Sequence, residues 1–299
     1  MKKFIYCILS IILLFNQFTL KSNPKIINIS IPKSGTWLIN KLVTLLTNKN
    51  QGNTRLHGAK ILTATKRPKA NEKAIQLVTP STQTLIQCLE NLKDNEFLLG
   101  HLAYYEEYDK LLDQYGFKKL FIIRDPRDQL ISRVFYVYKL KGIYAGLQKI
   151  PFDKLLLMLI GSPENTEFDD LLSGFLSYIN SPKELYISNI ASFYKEYLPW
   201  LNSKNCYKTR FEKLIGPKGG GNLEIQLKEI KNIVNYLNLN KSDNEIYQAA
   251  EKLFGGSSTF REGQIGSWKK HFKEEHKVAF KKVAGQLLID LGYEKDFNW

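Results

Sequence analysis

Four places in this 299-residue chain carry residues whose types and spacing could hold an anionic group and move it. The first is Pro32-Lys33-Ser34-Gly35-Thr36. It follows an apolar run, Ile26 to Ile31, and precedes Trp37, Leu38, Leu42, Leu45 and Leu46 at helical spacing, so it reads as the tight loop of a strand-loop-helix unit. Such a turn exposes unpaired backbone N–H groups and the positive end of the peptide dipoles. Lys33 adds a mobile charge, Ser34 and Thr36 add hydroxyl donors, and Gly35 lets the backbone come close, which completes a phosphate cradle. The lysine precedes the only glycine, unlike GxxxxGK[ST], and the shorter loop suits a terminal phosphate or sulfate better than a wrapped triphosphate. An ordinary polar turn is the bland alternative.

The second place is Arg124-Asp-Pro-Arg-Asp-Gln-Leu-Ile-Ser132, at the end of the apolar run Leu120 to Ile123. A guanidinium at a strand end and a hydroxyl two helical turns later can converge on one phosphate. A helix cap by Asp125 or Asp128, with Arg124 ion-paired, is compatible with that reading. The third is His101, just after Phe97-Leu98-Leu99, at the strand end where open α/β sheets gather their sites; an imidazole there suits a general base. The fourth is Phe260-Arg261-Glu262-Gly263-Gln264-Ile265-Gly266-Ser267-Trp268-Lys269.

The elements that must position these groups alternate short apolar runs with helical patterns, the one-dimensional signature of an α/β fold with a central parallel sheet flanked by helices. Cys206 to Thr209 is a weaker strand, and helices are expected over Gln129 to Leu140, Leu223 to Leu237 and Glu274 to Leu291. Gly219-Gly220-Gly221 reads as a flexible loop. No internal repeat is evident, and one domain is expected from residue 25 to 299.

The loop Ile31-Pro32-Lys33-Ser34-Gly35-Thr36-Trp37 resembles the 5′-phosphosulfate loop, PKSGTTW or PKSGNTW, of sulfotransferases that use 3′-phosphoadenosine 5′-phosphosulfate (PAPS). The chain is one residue shorter there: Trp37 comes a step early and Leu38 takes the matched place. Arg124 to Ser132 resembles the family's 3′-phosphate segment, RDPRDxxxS, and Arg261 to Lys269 resembles its RKGxxGxWK signature, with Glu262 in place of lysine. Gly100-His101-Leu102 is similar to THLP, and Arg210-Phe211-Glu212-Lys213-Leu214 to RYEDL. The resemblance implies a P-loop-like sulfotransferase fold and PAPS as co-substrate, held by Lys33, Ser34, Gly35, Thr36, Trp37, Arg124, Ser132, Phe211, Arg261, Glu262 and Gly263. It implies Lys33 and His101 as the catalytic pair, with Glu106 and Glu107 as substitutes for the base. Trp268 and His271 are read as structural.

Sulfuryl transfer needs positioning, charge neutralisation and one proton removal, so no metal is expected. The histidines are scattered and neither Cys88 nor Cys206 stands in a CxxC, which excludes a zinc spacing. The acceptor, a small molecule, lipid or glycan, is not written in the sequence; Tyr104, Tyr105, Tyr108, Phe135, Tyr136 and Tyr138 either line its pocket or belong to the core. A catalytically inactive anion-binding module and a P-loop kinase or NTPase are the competing functions.

The 43 basic residues against 29 acidic ones leave a net charge of +14, which favours polyanionic partners without naming one. No long basic block occurs, so nucleic acid is not expected. Met1-Lys2-Lys3 and the apolar stretch Phe4 to Phe18 resemble an export signal, are shorter than the ~20 residues of a spanning helix, and lack an A-x-A triplet. Signal peptide, membrane anchor through residues 4–20, and plain extension stay open. Location is therefore open too, since PAPS is made in the cytosol.

Overall fold

The computed structural model describes residues 24–58, 82–139, 149–161, 189–256 and 260–299; the apolar N-terminal stretch lies outside them. Its elements in chain order are β1 (Lys25–Ser30), α1 (Thr36–Thr47), β2 (Asn50–Gly58), α2 (Thr82–Glu90), β3 (Glu96–Leu102), α3 (Glu106–Gln114), β4 (Phe117–Ile123), α4 (Pro126–Lys139), α5 (Phe152–Ile160), α6 (Ile190–Lys195), β5 (Cys206–Arg210), α7 (Phe211–Leu214), α8 (Leu223–Tyr236), α9 (Asp243–Leu253) and α10 (Glu274–Asp290).

The five strands form one parallel sheet in the order β2-β3-β1-β4-β5. Helices cover both faces, so the central strands are apolar on both sides. Alternation along each strand sorts the core into two layers. Ile27, Ile29, Phe121 and Ile123 meet α4 and α5 on one face, while Ile26, Leu120 and Ile122 meet α1, α8 and α9 on the other. Two polar residues of β1, Asn28 and Ser30, share the α1 face. Asn28 Nδ2 donates to Asn40 Oδ1 of α1 at 2.8 Å, which satisfies a buried amide.

Because β1 sits in mid-sheet, the chain leaves it toward β2 and β3 on one side and β4 and β5 on the other. The crevice outside the strand carboxyl ends at this reversal is where open α/β sheets bind ligands. The loops after β1, β3, β4 and β5 all open there. Lys33 and Arg124 lie in the loops after β1 and β4, His101 is the penultimate residue of β3, and Phe211 opens α7 directly after β5.

The glycine triplet at 219–221 is a compact turn rather than a flexible loop. Gly221 N–H donates to Gly216 O at 2.8 Å, and Ile265 N–H donates to Gly219 O at 2.9 Å. A side chain at Gly219 would strike Ile215 Cγ1 at 2.2 Å. The glycines serve close backbone approach, fastening the loop after residue 260 to the body.

Candidate active site

Two departures from ordinary backbone geometry, separated by one residue, shape the loop between β1 and α1. Lys33 holds a positive φ of 70° and Gly35 one of 107°. The second needs glycine doubly, since a Cβ there would come 3.0 Å from Ile122 Cδ1 and 3.1 Å from Phe211 Cδ2. Gly35 caps α1 with no side-chain hydrogen bond, and the first turn carries no acidic residue. The helix therefore presents its N–H groups without an internal anion. The Ser34 hydroxyl is buried and makes no hydrogen bond, although the Tyr194 phenol is near enough to interact with it. Trp37, on the first turn of α1, is 38% exposed and so is not a core tryptophan.

Three cations from three loops converge on this cradle. Burial pulls the Lys33 ammonium down from 10.5 to about 8, and repulsion from Arg124, Lys139 and Arg261 adds to the effect. The Arg124 guanidinium is buried; its Nη2 donates to Gln264 O at 2.8 Å, and its Nε has no partner. Burial likewise lowers Arg261, whose Nη1 pairs with Glu262 Oε1 at 3.0 Å. Glu262 beside Arg261 and Asp128 beside Arg124 offset part of this charge, and the positive field left at Lys33 is one that an anion stabilises.

Helix α4 forms the wall against which they gather. It starts at Pro126, with Asp125 as its cap: Asp125 Oδ1 accepts the Arg127 N–H at 2.9 Å. Asp128, Ser132 and Tyr136 follow at four-residue spacing and share one face. Asp128 Oδ2 accepts the Gly266 N–H at 2.8 Å, and its Oδ1 accepts the Trp268 N–H at 2.9 Å and the Ser267 hydroxyl at 3.1 Å. The Arg124 guanidinium lies 3.7 Å from Asp128 Oδ2. The Lys33 ammonium sits 4.2 Å above the Tyr136 ring. Ser132 thus stands on a stripe between the contacts of Arg124 and Lys33. Gln129 adds a tie from the same helix to the cradle, donating from Nε2 to Pro32 O at 2.7 Å.

The loop after residue 260 is consequently fixed over the site. Gly263 has φ 63°, and a side chain on it would strike Phe260 at 2.5 Å. Trp268 is buried; its ring lies 4.0 Å from the Arg127 guanidinium and 5.5 Å from the Trp299 ring, a packing role. His271 packs between Phe135 and Phe152, at 5.3 and 5.4 Å.

His101 reaches the same place from β3. The β1–β3 register pairs Ile29 with Gly100, so Ser30 and His101 come next to each other on the α1 face. His101 Nδ1 lies 3.0 Å from Ser30 O and 3.1 Å from Ser30 Oγ, and Ser30 Oγ lies 2.8 Å from Thr36 Oγ1. A carbonyl only accepts, so Nδ1 carries the proton and Nε2 holds the basic lone pair. The two glutamates are engaged elsewhere: exposed Glu106 pairs with Lys110 at 2.7 Å, and Glu107 accepts the Thr82 hydroxyl at 2.6 Å.

Phe211, buried at the start of α7, lies under Arg124 with its ring 4.1 Å from the guanidinium. The aromatics divide: Tyr108 is core, Tyr104 packs on Trp200 at 5.0 Å, Tyr138 donates to Ile150 O, and Tyr105 is exposed. Away from the site, Asp153, Glu275 and His276 offer potential ligand atoms within 4.8 Å of one another. There the Lys273 N–H donates to His276 Nδ1 at 3.0 Å, so Nε2 carries the proton and has no lone pair for a metal; it lies 3.7 Å from Asp153 Oδ1 and 3.9 Å from Glu275 Oε1, beyond hydrogen-bond distance.

Sequence reasoning missed Ser30 as the link between His101 and Thr36, and Gln129 as a tie to the cradle. It read Asp128 only as a cap. The four-residue spacing of Asp128, Ser132 and Tyr136 was the available signal.

Compared with known proteins, residues 23–292 match the family described as the sulfotransferase domain. Comparison with curated proteins gives no significant match. Among solved structures, mouse sulfotransferase SULT7A1 complexed with PAP is similar with a TM-score of 0.57 and 14% identity, over 91% of this chain and 87% of that one. Retinol dehydratase in complex with androsterone and inactive cofactor PAP is similar with a TM-score of 0.52 and 17% identity, over 89% of this chain and 81% of that one. A second retinol dehydratase structure, with retinol and PAP, gives a TM-score of 0.52 and 17% identity over 92% and 83%. At these identities the likeness is one of fold.

Proposed function

This chain belongs to the sulfotransferase domain family, and from that premise we propose that the site transfers a sulfuryl group from PAPS to a hydroxyl or amine of an acceptor. The observation that carries the reading is the convergence of Lys33, Arg124 and Arg261 on one cradle: Asp128 and Glu262 partly offset the two arginines, while the charges acting most strongly on Lys33 are all cationic. PAPS bears charge at two ends, and the site offers cations to both. The N-terminus of α1, Lys33, Ser34 and Thr36 take the 5′-phosphosulfate. Arg124, Ser132 and the loop of Arg261, Glu262 and Gly263 take the 3′-phosphate; Glu262 contributes there through its backbone while its carboxylate holds Arg261. Trp37, exposed beside the cradle, and Phe211 flank the adenine.

In the transfer, an acceptor oxygen or nitrogen attacks sulfur in line. The new bond to sulfur forms, the bond to the bridging oxygen breaks, and adenosine 3′,5′-bisphosphate leaves with the bridging electron pair. Charge grows on that oxygen, where the Lys33 ammonium and the loop N–H groups meet it. The acceptor's proton passes to His101 Nε2, since Nδ1–H is committed to Ser30 O. The hydrogen bonds from His101 through Ser30 to Thr36 tie base and cradle into one unit. These residues suffice for the step without a metal ion. The acceptor is a small molecule, a lipid or a glycan, without nucleic acid as partner. A signal or anchor in the first 24 residues, ahead of one domain over 25–299, remains part of this reading.

Incubation of the full chain with 35S-labelled PAPS and a panel of phenols, steroids, amines, lipids and glycans tests it. Labelled product that disappears in His101→Ala and Lys33→Ala supports the reading. Nucleotide binding without any labelled product would instead make the protein an anion-binding module.

A further inference from the structure

Each of the three converging cations rests on an aromatic ring. Lys33 lies 4.2 Å from the Tyr136 centroid, Arg261 lies 4.2 Å from Phe135, and Arg124 lies 4.1 Å from Phe211. Two of the rings are consecutive residues of α4, placed one turn past Ser132. Arginine keeps its charge under any of these conditions, but a buried lysine does not. Lys33 therefore has the most to gain from its ring. The groups acting on it most strongly are burial and three further cations: Arg124 after β4, Lys139 on α4 and Arg261 on the C-terminal loop.

A carboxylate beside Lys33 would keep it protonated, yet it would also neutralise the site and compete with an incoming anion. An aromatic face stabilises the ammonium through its quadrupole and leaves the positive field in place. We propose that Tyr136 is a positioning residue for the transfer reaction, whose ring keeps the Lys33 ammonium protonated and held over the α4 face while the donor site is empty.

The inference rests on the sulfotransfer reading for its purpose, but its test does not depend on the donor. The rate of trace acetylation of Lys33 by acetic anhydride, read by peptide mass spectrometry against pH, gives the titration of this one amine in the full-length, ligand-free protein. Removing the ring in Tyr136→Leu is expected to move the midpoint down by about one pH unit, a tenfold change in the protonation equilibrium. Tyr136→Phe, which keeps the ring and loses only the hydroxyl, is expected to titrate like the parent protein. Should Tyr136→Leu fail to fold, Tyr136→pentafluorophenylalanine keeps the shape and reverses the quadrupole, and the same downward shift is expected. An unchanged midpoint in the ring-altered variants, or a Tyr136→Phe midpoint that moves with them, overturns the proposal. A protein that titrates as expected but does not bind adenosine 3′,5′-bisphosphate keeps Tyr136's action on Lys33 and rejects the donor-site reading.

Discussion

The ring nitrogen Nδ1 of His101 lies 3.0 Å from the carbonyl oxygen of Ser30, the last residue of the strand that leads into the phosphate cradle. One hydrogen bond thus fixes the imidazole's tautomer and its position relative to Lys33. With His101 as the proposed base, acting on the acceptor's proton and not on the nucleotide, His101→Ala is expected to lower kcat by about 10²–10⁴-fold while adenosine 3′,5′-bisphosphate binding changes little. Paired turnover and calorimetric measurements check the split. Ser30→Ala removes the hydroxyl but leaves the carbonyl, so it is expected to cost less than His101→Ala.

Lys33 gives a prediction with two signs. Its folded value of about 8 lies below the unfolded 10.5. Below pH 8 both states carry the proton and the burial cost is fully felt; between 8 and 10.5 the folded state sheds its proton first, and the cost fades. Lys33→Met is therefore expected to melt higher than the parent at pH 7, with the difference shrinking toward pH 10. The gain is about 2–4 °C for each kcal/mol of relieved burial. Turnover is expected to fall by roughly 10²–10³-fold, the cost of losing one donor to developing charge. Calorimetric melts across pH, beside rates, test both signs.

Asp128 holds the far side of the site. Its carboxylate accepts from Gly266, Ser267 and Trp268, and burial raises its protonation range against the pull of Arg124. Asp128→Ala leaves those donors unsatisfied, at about 1–3 kcal/mol for each group kept buried. Adenosine 3′,5′-bisphosphate affinity is expected to drop by about 10–100-fold, and limited proteolysis is expected to cut between residues 256 and 266. Intact affinity with a protected loop would contradict this.

Gly35→Ala introduces a methyl group against Ile122 and Phe211 at a φ of 107°. The strain, on the order of 1–3 kcal/mol, falls on the cradle itself. Lost nucleotide binding is expected at a temperature where the circular dichroism spectrum still matches the parent.

The sequence made β1, β3 and β4 legible because central parallel strands are buried on both faces and read as apolar runs. It concealed β2, the edge strand Asn50–Gly58, which carries a single large apolar residue, Leu56. At the site, the short loop around Gly35 and the place of Arg124 at the end of β4, ahead of the helix that carries Ser132, could be read from local order. What could not be read was contact across the chain. Asp128 finds its donors 138 to 140 residues away, and Arg124 meets Gln264 at a separation of 140. Nor does a tyrosine at helical spacing reveal whether it faces a core, an acceptor or, as with Tyr136, a lysine.

The central claim is that one pocket grips both charged ends of an adenosine bisphosphate. Isothermal titration of the full chain with adenosine 3′,5′-bisphosphate, and separately with ADP and magnesium, reads it directly. Binding of the 3′,5′-bisphosphate without magnesium, at least tenfold tighter than ADP and weakened in both Arg124→Ala and Lys33→Ala, is the predicted result. Equal or tighter binding of ADP with magnesium would contradict it.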